Sequence, residues 1–201
     1  MDELIIKISE LYLKYGIKSV TMDDVSRHLC ISKKTLYQYF KDKDDLVKKV
    51  VTYYLTNQEC EEQSLHNDKY NAIDILLVMS KYLANKIKEM NPSVNYDLQK
   101  YHPESWKILA EYRHNHVFDQ IKLNMIEGIK QGLYRDDLNI DLISTFYLFR
   151  TEKAMDDNFF QIKDYSFEEI FNTMFIYHIR AIANEKGLKY LDEKIKNEKL
   201  N

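Results

Sequence analysis

Glycine and proline are the scarcest resource in this chain, with four of one and two of the other in 201 residues. Average usage would supply about four times as many. A chain so poor in turn residues cannot close many tight hairpins, so sandwiches and barrels are excluded. It also cannot build a phosphate-cradling loop, because Gly16, Gly128, Gly132 and Gly187 are too scattered for either common glycine-rich pattern. Long helices joined by short links remain, and the expected class is all-α.

Composition supports a packed protein. Apolar residues make up 45% and charged residues 30%, a globular balance. No apolar run approaches the roughly 18 residues of a membrane span; residues 142–149, among the longest, are flanked by Asp141 and Arg150. The chain opens Met1-Asp2-Glu3, with no basic region ahead of an apolar stretch. It is therefore expected to carry no secretory leader and to be cytoplasmic. Cys30 and Cys60 lack CxxC spacing and read as free thiols of a reducing compartment.

The net charge of −3 is unevenly spread. Residues 1–55 sum to +2 and the remainder to −5, while within 26–49 seven basic side chains face three acidic ones. A basic patch at one end of an acidic chain suits an anionic partner. A solvated helix surface would look the same, so charge leaves both readings open.

Patterning near the N-terminus is more specific. Leu4, Ile5, Ile8, Leu11, Tyr12 and Tyr15 recur at helical spacing, and Gly16 supplies a left-handed stop. Thr21 with Asp24 three residues on is a helix-start signal, followed by Met22, Val25 and Leu29 on one narrow apolar face. After Cys30-Ile31, Ser32 can cap a second short helix over 33–40 that buries only Leu36 and Phe40. Lys33, Lys34, Thr35, Tyr37, Gln38 and Tyr39 are left to face elsewhere. Two short helices joined by a tight turn, the second rich in hydrogen-bonding side chains, form a helix-turn-helix. Lys33, Lys34, Thr35 and Gln38 would face the major groove, where Gln38 can pair with adenine and lysine with guanine.

The sequences Thr21-Met22-Asp23-Asp24-Val25, Ile31-Ser32-Lys33-Lys34-Thr35-Leu36-Tyr37-Gln38-Tyr39-Phe40 and Lys43-Asp44-Asp45-Leu46 together resemble the DNA-binding domain of TetR-family transcriptional regulators, over about residues 3–52. The resemblance implies an N-terminal helix-turn-helix DNA-binding domain over 1–52 and a helical effector-binding and dimerisation domain over 53–201. It further implies that Thr35 and Tyr37 contact bases or backbone, while Thr21, Tyr39 and Lys43 hold phosphates. Cys30 departs from the family pattern, which has glycine in the turn. If its φ is positive, the side chain costs about 1–2 kcal/mol. A half-buried, inert thiol is the expectation there.

Beyond residue 56 the chain shows helices but no comparable motif. Ile73, Leu76, Leu77, Leu83, Ala84 and Ile87 mark one that ends before Asn91-Pro92. A short stretch then leads to Pro103 at the start of a long helix through Trp106, Leu109, Val117, Ile121, Met125 and Ile129, with Gly132 as its stop. Asp141 can cap a helix through Phe146, Tyr147 and Arg150. Ser166-Phe167-Glu168-Glu169 has capping-box form and opens a helix through Phe171, Phe175, His178 and Ile182. The charged tail from Asp192 reads as frayed.

Enzymatic chemistry finds no foothold. None of the histidines at 28, 66, 102, 114, 116 and 178 are three or four apart, so no helical metal pair arises. Adjacent acids such as Glu61-Glu62 and Asp156-Asp157 point about 100° apart on a helix. No catalytic residue, cofactor or metal is expected. Sixteen tyrosines, nine phenylalanines and one tryptophan are the softer clue. By resemblance, Tyr96, Trp106, Tyr112 and Phe146 are candidates to line an effector pocket, although core packing and dimer contact are the better account of any one such residue. The expected function is a homodimeric repressor released from a palindromic double-stranded DNA operator by a small-molecule effector. A helix-turn-helix regulator controlled instead by a protein partner is the alternative.

Overall fold

In the computed structural model, residues 1–63, 69–154 and 165–198 are described, excepting the side chains of 58–63, 152–154, 167 and 198. Cys60, His66 and the acid pairs at 61–62 and 156–157 lie outside the described side chains. Among the described residues the fold is all-α, with ten helices and no strand beyond one isolated bridge between Tyr134 and Ala183. They are α1 (Asp2–Tyr15), α2 (Met22–His28), α3 (Lys33–Tyr39), α4 (Lys43–Gln63), α5 (Ala72–Glu89), α6 (Ser93–Tyr101), α7 (Pro103–Lys130), α8 (Ile140–Ala154), α9 (Phe167–Ile182) and α10 (Glu185–Glu198). No described helix is long and apolar enough to cross a membrane.

The chain forms two compact units. One comprises Met1–Gln63 with Glu89–Arg113, the other Ser64–Lys88 with His114–Asn201. The expected boundary at residue 52 falls inside α4, and the first unit takes in the rest of that helix, α6 and the start of α7.

In the first unit Ile8, Val25, Leu36, Phe40 and Leu46 are fully buried, one or two from each of α1, α2, α3 with its C-cap, and α4. Each such burial contributes about 1.5–3 kcal/mol, so helices too short to persist alone are held by packing. Val94 and Leu98 of α6 and Leu109 of α7 complete this core. In the second unit Ile73, Met125, Tyr147, Phe171, Phe175, Ile179 and Leu191 bring α5, α7, α8, α9 and α10 together.

Helix ends follow the local chemistry. Gly16 ends α1 at φ 80°, its N–H donating to Tyr12 O. Gly132, at φ 68°, ends α7 with Leu133 N–H donating back to Gly128 O at 2.9 Å. Ser166 and Glu169 form the expected capping box of α9. The short stretch between Pro92 and Pro103 forms the helix α6. Two expectations need correcting. Asn139, not Asp141, starts α8, its side-chain Oδ1 accepting from Leu142 N–H at 3.1 Å. The tail from Asp192 is not frayed as far as Glu198. It belongs to α10, which buries Leu191 completely and pairs Lys194 with Asp74 at 2.8 Å.

Candidate nucleic-acid interface

The two short helices are set by their caps. Thr21 Oγ1 accepts from Asp24 N–H at 3.2 Å, while Asp24 Oδ2 accepts from Thr21 N–H at 2.9 Å. This reciprocal box satisfies free donors at the start of α2 and holds the Asp24 carboxyl below its usual range, the Thr21 hydroxyl contributing most. Ser32 Oγ accepts from Thr35 N–H at 3.0 Å and caps α3. Between the helices, Cys30 N–H donates to Arg27 O at 3.1 Å and Ile31 N–H to Ser26 O at 3.0 Å. That pair of bonds is a Schellman turn, whose C′ residue must be left-handed. Cys30 fills that place at φ 54°. Its side chain is exposed, not half-buried as expected.

α3 turns Leu36 inward at 0% exposure and presents the rest of its surface. Lys33, Lys34, Tyr37, Gln38 and Tyr39 are exposed, and Thr35 is half-buried. Lys33 forms an ion pair with Asp23 at 2.5 Å, which couples the first turn of α3 to α2. At the other end Lys49 of α4 donates to Tyr39 O at 2.9 Å and pairs with Asp45 at 2.8 Å. A lysine on the last carbonyls of a helix suits its dipole.

Lys43 is held differently from a free surface cation. Its Nζ donates to Ile17 O at 2.7 Å and to Lys18 O at 3.3 Å. Burial lowers the ammonium below the usual lysine range, against the pull of Asp97, Asp44 and Asp24. Two of its three donors thus fasten the α1–α2 link, and one is left for a further acceptor. The same link is held from α6, where Asp97 Oδ2 accepts from Lys18 N–H at 2.8 Å. Asn91 N–H donates to Leu13 O at 2.7 Å. His102, buried at 7% exposure, meets Asp44 at 2.5 Å. Lys49, Asp97 and His102 were not singled out by sequence. Lys49 had a signal, a lysine four residues after Asp45. The other two had none, being 79 and 58 residues from their partners.

Of the candidate pocket aromatics, Tyr96, Trp106 and Tyr112 belong to the first unit and Phe146 to the second. Trp106 and Tyr112 pack half-buried against the core of the first unit. Tyr96 is 46% exposed on α6 and Phe146 63% exposed on α8. Two surface hollows have other linings: Ile129, Gly132, Tyr134, Arg135, Asp136, Asp137 and Asn184 around one, and Leu133, Lys186, Lys189, Tyr190 and Glu193 around the other. Side-chain type alone does not say which faces of separate helices meet.

A capped pair of short helices joined by a tight turn, with one polar face of the second helix left open, is the helix-turn-helix arrangement that places its second helix in the DNA major groove. Residues 7–50 match the bacterial regulatory proteins of the tetR family. That match takes in the helix-turn-helix and part of the helix on either side of it, so this part of the chain is similar to the DNA-binding domain of tetR-family transcriptional regulators. Over 160 residues it is 26% identical to an uncharacterized HTH-type transcriptional regulator, YvaF of Bacillus subtilis (strain 168), covering 79% of this chain and 83% of that one. Among solved structures, a transcriptional regulator from Cytophaga hutchinsonii superposes with a TM-score of 0.71 at 18% identity, over 90% of this chain and 98% of that one. A regulator-like protein from Saccharomonospora viridis, in complex with choline, gives a TM-score of 0.70 at 16% identity, over 90% and 96%. At these identities the structural likeness is one of fold.

Proposed function

We propose that the protein is a homodimeric repressor that binds a palindromic operator through α3 and leaves it when a small molecule occupies the second unit. The open face of α3 carries this reading: Lys34, Tyr37, Gln38 and Tyr39 are exposed on a helix whose opposite side is anchored by fully buried Leu36. Lys33, Lys34, Thr35, Tyr37 and Gln38 face the groove, while Thr21, Ser32, Tyr39 and Lys43 lie along the phosphates. Thr21 and Ser32 serve there as caps that aim backbone N–H groups outward. One such head spans too few base pairs to be selective. A two-fold dimer reads two half-sites about 34–36 Å apart.

Dimerisation is supported by apolar surface without cover in the described chain. Leu142, Phe146 and Phe149 on α8 and Tyr177 on α9 are 49–68% exposed. Residues at i, i+4 and i+7 form a single stripe, and a stripe of that kind suits a two-fold contact with its own copy. The reading is tested by selection from random duplex DNA at two salt concentrations. An enriched palindrome with half-sites one helical turn apart is expected. Salt-sensitive binding without enrichment would count against a sequence-reading role for α3.

A further inference from the structure

In the second unit, α8 and α9 share a group of polar atoms that nothing in the described chain satisfies. Arg150 of α8 has its Nε and Nη2 shielded from solvent without a hydrogen-bond partner, and His178 of α9 has its Nε2 in the same condition. Tyr147 touches both residues. Its ring lies 5.5 Å from the guanidinium carbon and its centroid 4.7 Å from that of the imidazole. Proteins pair nearly all buried polar atoms, and a shielded cation without a counter-charge is the most costly exception.

The geometry of the vacant donors is selective. Nε and Nη2 form one edge of the guanidinium, where two N–H bonds point in parallel and fit both oxygens of one carboxylate. His178 adds an imidazole nitrogen at 5% exposure. Beside these donors the walls are aromatic, Phe175 standing edge-on to Tyr147 at 5.9 Å. We propose that the Arg150 edge and His178 Nε2 form a binding site for the carboxylate of a small, aromatic or apolar acid. It deepens the proposed function, on which it rests only for the effect of occupancy on DNA binding.

Charge supports the same class of ligand. Burial and then the charge of Arg150 push the His178 imidazole down to about 3, and burial lowers the Arg150 guanidinium as well. An anion offsets each of these effects, whereas a quaternary ammonium would meet the like charge of Arg150. A side chain from another protein is the less suitable source of the carboxylate, because His178 is buried against the ring of Tyr147.

The test uses the full chain with ¹⁵N-labelled histidine, titrated separately with benzoate and with benzamide, its uncharged counterpart of the same size. Benzoate is expected to shift the His178 Nε2 resonance saturably, and benzamide to leave it in place. Arg150→Met should weaken benzoate at least about tenfold. Arg150→Lys, which keeps the charge and loses the parallel edge, should fall between. The other histidine resonances report whether each variant is folded. Equal responses to the two probes, no response of His178, or unchanged benzoate affinity in folded Arg150→Met overturns the site. A benzoate-silent protein whose dimer dissociates on Arg150→Met overturns it too, and assigns the counter-charge to a second copy of the chain. Operator binding without ligand is measured in parallel. If it persists while benzoate fails, the carboxylate site alone is lost; if it is absent, the regulator reading fails and the benzoate result stands by itself.

Discussion

The backbone at residue 30 is left-handed, with φ at 54°, and the residue there is cysteine. A Cβ in that region is crowded by its own backbone, at about 1–2 kcal/mol. Glycine removes the crowding but gives back some of the gain through the greater freedom of the unfolded chain. Cys30→Gly is therefore expected to stabilise the protein by about 1 kcal/mol, read as a higher urea midpoint at unchanged slope; a lower midpoint would show that the thiol makes a contact worth more than the strain. The exposed thiol needs no replacement partner.

Two further residues separate positioning from reading. Lys43 donates to Ile17 O and Lys18 O with no DNA present, so Lys43→Ala should cost about 1 kcal/mol of stability in the free protein. A thermal midpoint equal to that of the unaltered chain would leave the lysine only a phosphate role, visible as a salt slope lower by about one. Gln38 is exposed on α3. Gln38→Ala should relax preference at one base position by about 1–3 kcal/mol and leave stability unchanged. Uniform weakening on all sequences would remove it from base contact.

At the scale of elements, α8 and α9 meet through a neutral histidine. His178 is pushed from 6.5 down to about 3 by burial and by Arg150. Its native pKa is depressed, so the native state refuses a proton that the unfolded state takes up below about pH 6.5. Stability from this residue is complete above 6.5 and is lost as the pH falls towards 3, by up to about 1.4 kcal/mol per unit. Between pH 6.5 and 5 the protein should lose about 1–2 kcal/mol that a His178→Gln variant does not. Parallel pH profiles for the two proteins would rule this out.

Elements with strong local signals were legible in the chain itself. The caps Thr21-Asp24 and Ser166-Glu169, the stop at Gly132 and the proline start of α7 all act within four residues. α6 was hidden because prolines on both sides resemble the limits of a link, while its helical state depends on burying Val94 and Leu98. α10 was hidden by its charge. Leu188, Leu191 and Ile195 carry helical spacing within it, but their value lies in the core they meet. The site divides the same way: α3 is local and could be read, whereas Arg150 and His178 are joined only by the packing of α8 on α9.

At the scale of the whole molecule, selectivity for an operator requires two heads, and the described surface offers one way to join them. Leu142, Phe146 and Phe149 line one face of α8, with Phe146 and Phe149 each 63% exposed. Completing the burial of one phenylalanine contributes up to about 2–3 kcal/mol, and placing a carboxylate there adds the cost of desolvating a charge. In a two-fold contact each substitution is made twice. Phe146→Glu should therefore weaken the proposed dimer at least about a hundredfold. Sedimentation equilibrium would show monomer at micromolar concentration. Binding to a palindrome should fall with it, while binding to a single half-site, weak from the start, stays as it was. A Phe146→Glu protein that remains dimeric would move the two-fold axis away from α8, and the separation of half-sites would then be set by another face.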